Sequence, residues 1–498
     1  MEAAVKFSGR KLERVVLIYP PVNFSRQSMK QIHPPLGIAY LAAVLKDVCE
    51  VRVLDASVEG YRNEERVGDR FLRYGLSFDE IERRIREMNP DLVGISCIFS
   101  SQFQNTVEVA LRAKKVNPDL ITVVGGSHPT FLAEECLRQG GIDFIVKGEG
   151  EFALRDLMEA IRKGRGVETI PGLAWQEDGR YCESGIRPAA PNLDEIPFPA
   201  RDLFPLDKYD RISSPMGSVY RQRPFMNLIT SRGCPYRCNF CSSTNFWGNQ
   251  YRVRSAGNVL LEMEELAGKY GVREFKFFDD NLTADRGRAK EIFRGMIERN
   301  LKVSWNTPNG VHLMNLDEEM LDLMKGSGCY ELTLAIESGD PGVLRDIIHK
   351  PTDLAEVERV VKLIRKKGID SSGFFVIGFP GETKEQIQRT FDFSRKLNLD
   401  RIMFFIANPL PGTELYRICL DKGYIDRNYR FDEIDYFEGR FSTPEWTYQE
   451  LYQLRRNWFW QYNLGGLFTH PIRFLTRYKP IIARPGFLLE ILKRRIRN

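Results

Sequence analysis

The chain has 498 residues, 43% of them apolar and 28% charged. This is the balance of a globular rather than a disordered protein, and at roughly 150 residues per domain it suggests about three folding units. Lys and Arg total 72 against 67 Asp and Glu, too small an excess to argue for a nucleic-acid partner. No run approaches the ~18 uninterrupted apolar residues of a spanning helix. The opening MEAAVKFSGRKLERVV lacks the apolar core of a secretory signal, so a cytoplasmic location is expected.

Residues 12–164 alternate short apolar runs with amphipathic stretches. Val15–Tyr19, Val51–Leu54, Leu92–Phe99, Ile121–Val124 and Phe144–Val146 read as buried strands, with helices near 36–47, 78–88, 103–115, 131–139 and 151–162. Such alternation predicts a doubly wound α/β domain with a five-stranded parallel sheet, whose ligands bind beyond the carboxyl ends of the strands. Small and polar residues cluster there: Ser96–Ser101, Gly125-Gly126-Ser127-His128 and Gly148-Glu149-Gly150. No G-x-G-x-x-G follows the first strand, which argues against a pyridine dinucleotide.

Residues 165–225 break this rhythm with Pro171, Pro188, Pro191, Pro197, Pro199, Pro205, Pro215 and Pro224. An ordered linker between domains is expected, anchored by Trp175, Phe198, Phe204 and Tyr209. From 226 to 425 the alternation resumes. Strands are predicted at 226–230, 274–278, 302–306, 331–336, 373–377 and 401–406, with helices at 256–270, 286–300, 317–326, 354–366 and 384–397. Six βα units fit a partial (β/α)6 barrel. Residues 426–498 are aromatic and helical in pattern and end in a basic tail. From Phe468 onward Arg473, Arg477, Lys479, Arg484, Lys493, Arg494, Arg495 and Arg497 stand against Glu490 alone.

The chemistry is concentrated in Cys234-Pro-Tyr-Arg-Cys238-Asn-Phe-Cys241, directly after the first strand of the second alternating region. Three thiolates spaced C-x3-C-x2-C can hold a 4Fe–4S cube at three corners, where four protein ligands are usual, leaving one iron open to a small molecule. A zinc site would want a fourth Cys or His, but no His lies within 50 residues and Cys182 is the nearest cysteine before the motif. A two-cluster ferredoxin run has different spacing. Chance clustering is the remaining alternative.

On this motif, with Phe240 before the last cysteine, the chain resembles the radical S-adenosylmethionine (SAM) superfamily. The resemblance implies a 4Fe–4S cluster on Cys234, Cys238 and Cys241 whose open iron chelates SAM. It also implies reductive cleavage of SAM to methionine and a 5′-deoxyadenosyl radical, fed by a flavodoxin- or ferredoxin-type donor. By the same resemblance SAM is contacted by Phe240 and by Asp280, in a Phe-Asp-Asp-Asn segment where the family's Gly-Gly-Glu is absent. Further contacts fall on Glu337, Ser338, Ile377 ahead of Gly378-Phe-Pro-Gly-Glu382, and Pro409 within Asn408–Thr413. Each segment alone also reads as a strand-to-helix turn; their succession at strand ends favours the cofactor.

His33-Pro-Pro-Leu-Gly37, Val123-Val-Gly-Gly-Ser-His128-Pro and Gly148-Glu-Gly-Glu151 are similar to segments of the cobalamin-binding domain that precedes the barrel in one subgroup. This implies cobalamin contacts at Ser100, Gly125, Gly126, His128, Gly148 and Glu149. None of the five histidines sits in an Asp-x-His-x-x-Gly pattern, so no histidine from that motif reaches cobalt. The subgroup's common reaction is methylation of an unactivated carbon or phosphorus. The expectation is therefore a methyltransferase acting on a small-molecule or lipid-like substrate, with a tetrapyrrole-cyclase-like reaction as the alternative. A tRNA methylthiotransferase is disfavoured because Cys49, Cys97 and Cys136 lie far apart, and a non-catalytic cobalamin carrier is disfavoured by the cysteine triad. The basic, apolar tail suits either a terminal helix packed on the barrel or peripheral contact with the inner membrane face.

Overall fold

The computed structural model describes residues 7, 9–26, 28, 30–212 and 220–469, with 463–469 described in backbone only. The chain forms two compact units. One is Met1–Ile212 with Phe246–Gly248 and Arg430–Glu433; the other comprises Ser213–Asn245, Asn249–Tyr429 and Ile434–Asn498.

The first unit contains strands β1 (Arg14–Tyr19), β2 (Val22–Ser25), β3 (Glu50–Asp55), β4 (Glu64–Val67) and β5 (Phe71–Tyr74). They are followed by β6 (Leu92–Ser96), β7 (Ile121–Gly125), β8 (Phe144–Val146), β9 (Leu173–Glu177) and β10 (Arg180–Glu183). Its main sheet has the order β10-β9-β8-β7-β6-β1-β3. The run β8-β7-β6-β1-β3 is parallel. Side chains of β1 alternate between two cores, as a strand's two-residue period requires. Val15 and Leu17 join Ala39, Ala42, Leu157 and Ile161 on one face. Val16 and Ile18 join Ile81, Ile85, Val107 and Ala110 on the other. Helices thus cover both faces, as a parallel sheet needs.

Two features depart from the sequence expectation. The stretch read as a linker contributes β9 and β10, an antiparallel hairpin that extends the sheet, with Trp175 opposite Phe144. Its turn residues Asp178 and Gly179 both have positive φ, the Asp-Gly signature of a tight hairpin. The rest of that stretch, through Ile212, packs as part of this unit rather than between domains. Trp175, Phe204 and Tyr209 are its buried anchors, and the Tyr209 hydroxyl donates to the Asp55 carboxylate. The second feature is a small sheet, β2-β5-β4, that no apolar run announces, because β4 is mostly charged and exposed.

The second unit contains β11 (Phe225–Leu228), β12 (Ser231–Arg232), β13 (Arg252–Val253), β14 (Glu274–Phe277), β15 (Ser304–Val311), β16 (Cys329–Glu337), β17 (Asp370–Ile377) and β18 (Arg401–Ile406). Six of these form one parallel sheet in chain order, β11-β14-β15-β16-β17-β18, the strand arrangement of a six-unit partial barrel. The following helices start on side-chain caps: Ser255, Asp285, Asp317, Asp353, Thr383 and Thr413 each accept a backbone N–H of the first turn. Segments between strand ends and these caps are therefore free to carry function.

After the barrel, residues 426–447 are largely irregular and anchored by Phe441 and Trp446, and the helix Tyr448–Thr469 follows. Trp458 of that helix stacks on Phe391 with ring centroids 4.6 Å apart. Among the described residues no helix is long and apolar enough to cross a membrane. The basic tail lies outside the described residues.

Candidate functional site

The cysteine loop is delivered by the chain leaving β11 and is fixed from beneath by Asp279. This buried carboxylate closes β14 and accepts Thr230 N at 3.0 Å, Thr230 Oγ1 at 2.6 Å and Ser231 Oγ at 2.5 Å. Between the second and third cysteines, Asn239 ties the loop to two further elements. Its N–H donates to Ile348 O and its side-chain amide to Ile347 O, while its carbonyl accepts Leu415 N. After Cys241, Ser243 opens a short helix and donates to Asp280 at 2.6 Å.

Cys234 and Cys238 are half-buried and Cys241 is exposed; all three are free thiols. They lie close enough for their charges to interact. Burial pushes the Cys234 thiol up and the Cys238 thiol up to about 12, so at neutral pH they keep their protons until a metal displaces them. Among the described residues no three His, Cys, Asp or Glu side chains converge on one ion's position. The corners of a cube stand farther apart than ligands around a single ion, whose bonds are about 2.3 Å.

The neighbouring strand ends add polar groups. Glu337 closes β16 at φ +67°, a left-handed conformation uncommon outside glycine. Its carboxylate meets the Lys350 ammonium at 2.8 Å, with both groups buried. Burial alone would lower the Lys350 pKa, but Glu337, Cys238 and Cys234 hold it above its ordinary value. Sequence reasoning missed Lys350, because a lone lysine in a turn carries no pattern. Ser338 is committed elsewhere: its hydroxyl pairs with Thr390 Oγ1 at 2.9 Å and accepts Asp340 N. Ile377 and Pro409 are buried at the ends of β17 and β18. The Phe240 ring meets Phe379 at 5.7 Å. Glu382, fully buried, accepts Gly378 N at 2.7 Å and Phe379 N at 3.1 Å, and desolvation raises its pKa to about 8.

In the first unit the expected ligand residues line the carboxyl ends of adjacent strands. Ser100 follows β6, Gly125 and Gly126 close β7, and Gly148 and Glu149 follow β8. Gly126 has φ +121°, and a side chain there would meet Cys97 O at 2.4 Å, so only glycine fits. Gln102 and Asn105 lock the segment after β1 to the start of the helix after β6 through Asn23 and Pro21. His128 is buried against Phe103 with centroids 4.5 Å apart, and burial lowers its pKa to about 4. It is a neutral, packed histidine. Ile98 and Phe99 stand exposed beside this edge.

Residues 25–158 match the B12 binding domain and residues 228–394 the Radical SAM superfamily. The chain is 36% identical over 476 residues to cytidylyl-2-hydroxyethylphosphonate methyltransferase of Streptomyces wedmorensis, covering 89% of each chain. The chain belongs to the radical SAM superfamily, in the branch that carries a B12 binding domain.

It is also 30% identical to the anaerobic magnesium-protoporphyrin IX monomethyl ester cyclase of Rubrivivax gelatinosus, over 86% of this chain and 73% of that one. The structure of the radical SAM methyltransferase TsrM from Kitasatospora setae, solved with cobalamin and a [4Fe-4S] cluster, matches with a TM-score of 0.66 over 83% of this chain and 78% of that one; at 21% identity the likeness is one of fold. This radical SAM enzyme takes a 4Fe–4S cluster, SAM and cobalamin as cofactors. The barrel edge suits such groups. Asn309 Oδ1, Asn408 Oδ1, Glu382 Oε1 and both nitrogens of His312 are buried without protein partners near the ends of β15, β17 and β18, while the Asn281 side chain hydrogen-bonds to Cys234. Buried polar atoms left unpaired by the protein are met by ordered water or by a bound group.

Proposed function

We propose that this radical SAM enzyme methylates an unactivated carbon of a small organic substrate, with Cys234, Cys238 and Cys241 as the cluster ligands. When bound, the cluster and SAM supply hydrogen abstraction and cobalamin supplies the methyl group. The chain's own part is to hold and orient these groups. Lys350, cationic and buried beside two of the thiols, offsets the charge of thiolates or of a carboxylate. Asn408 and the turns after Glu337 and Ile377 offer polar atoms for SAM, with Phe240, Asp280, Ser338 and Pro409 framing that pocket edge. Ser100, Gly125, Gly126, His128, Gly148 and Glu149 are assigned to cobalamin, with Gly126 providing close backbone approach and His128 packing rather than coordinating. A low-potential flavodoxin- or ferredoxin-type protein is the assigned electron donor.

The 36% identity across 89% of both chains to a methyltransferase carries this reading. The test is anaerobic reconstitution with iron, sulfide and cobalamin, then turnover with methyl-labelled SAM against a panel of phosphonates, lipids and tetrapyrroles. Label in a product supports methyl transfer. The similarity to a protoporphyrin ester cyclase supports a second reading, ring closure, which would give an unlabelled cyclised tetrapyrrole together with 5′-deoxyadenosine.

The proposal extends to peripheral membrane contact. The basic, apolar composition beyond residue 469 supports it, as do Phe459 and Trp460, 39% and 45% exposed on the helix leading there. Co-sedimentation with phosphatidylglycerol vesicles is expected to exceed that with phosphatidylcholine and to be lost on truncation after Phe468. Equal co-sedimentation of the truncated chain contradicts it.

A further inference from the structure

His312 lies just beyond β15, 4% exposed, and both its ring nitrogens are buried without a protein partner. Its ring stacks on that of Tyr236 at 4.1 Å and 23°, and Tyr236 sits midway between Cys234 and Cys238. The Lys350 charge that acts on those two thiols acts on His312 as well. Burial, with that charge adding to it, pushes the imidazole pKa down to about 3, so the ring is neutral with one N–H to give and one nitrogen to accept. With both ring nitrogens buried and neither paired within the protein, leaving the donor unpaired costs roughly 1–3 kcal/mol.

We propose that His312 is a redox-positioning residue: stacked on Tyr236, it donates its N–H to a sulfur of the cluster held by the cysteine loop. This rests on the reading that the loop binds a 4Fe–4S cluster. Hydrogen bonds to the sulfurs help set the potential of such clusters, because they stabilise the added negative charge of the reduced state. The step concerned is the entry of one electron from an external reductant, dithionite in the test. No bond breaks, and His312 keeps its proton throughout.

The test is an anaerobic redox titration of the reconstituted full chain, followed by electron paramagnetic resonance. His312→Phe keeps an aromatic ring against Tyr236 but removes the donor, and His312→Gln keeps a donor. Reduction of His312→Phe is expected to be about tenfold less favourable, ~59 mV lower for a one-electron couple, with His312→Gln restoring at least half of the shift. An unchanged potential in His312→Phe at full iron content overturns the proposal. Electron–nuclear double resonance asks the same question without touching His312. With 15N-labelled histidine, a nitrogen coupling to the reduced cluster is expected in the parent and in His349→Gln, and its absence from either overturns the proposal. A parent protein that takes up no cluster overturns the underlying reading instead, and this inference with it.

Discussion

Asp279 receives three hydrogen bonds on one oxygen, all from the two residues that lead into the cysteine loop. Burial pushes the Asp279 pKa up while these hydrogen bonds oppose the rise, and hydrogen bonds contribute roughly 0.5–1.5 kcal/mol each. Asp279→Ala is therefore expected to lower stability by about 3 kcal/mol in urea unfolding and to reduce iron bound per chain after reconstitution. His128 provides a separate test through pH. Its folded pKa, about 4, lies below the ordinary value near 6.5 because the ring is buried. Between those values the unfolded chain binds a proton that the native chain refuses, so stability falls as pH drops through that window. His128→Phe is expected to flatten the acid slope between pH 6.5 and 4, measured as the urea midpoint at stepped pH. A slope identical to the parent's would place His128 in contact with solvent.

Among the elements, the barrel strands have a charged floor. Near the start of β18 Arg401 meets Glu331 at 2.6 Å, Ser372 donates to the same carboxylate, and Lys276 meets Glu274 at 3.0 Å. Removing one partner of such a buried pair strands a charge, at roughly 3–5 kcal/mol. Arg401→Leu is expected to cost about that much in urea unfolding while leaving the cluster signal of the folded fraction unchanged, because the cysteines lie at the opposite ends of the strands. The same elements show what a sequence can reveal. Buried parallel strands such as β6 and β7 read as mostly apolar runs because both faces are covered. β4 is mostly charged and carries no apolar signal, and the β9–β10 hairpin offers only its Asp178-Gly179 turn. Cys234, Cys238 and Cys241 were legible because local spacing alone defines them. Asp279's anchoring role, Lys350 and His312 were not, since only the fold brings them to the cysteine loop from the ends of β14 and β15 and from the segment after the helical stretch Val343–Ile348.

At the scale of the whole molecule, the candidate site residues of each unit follow the carboxyl ends of its parallel strands, where connections vary without disturbing the sheet. The glycine and serine turns of the first unit and the cysteine loop of the second follow from that common logic. The measurement that tests the central claim most directly is formation of 5′-deoxyadenosine from SAM by the anaerobically reconstituted, dithionite-reduced protein. The parent is expected to form it and to bind about four irons per chain, whereas the variant with Cys234, Cys238 and Cys241 all replaced by alanine forms none. Undiminished 5′-deoxyadenosine from that triple variant would contradict the account.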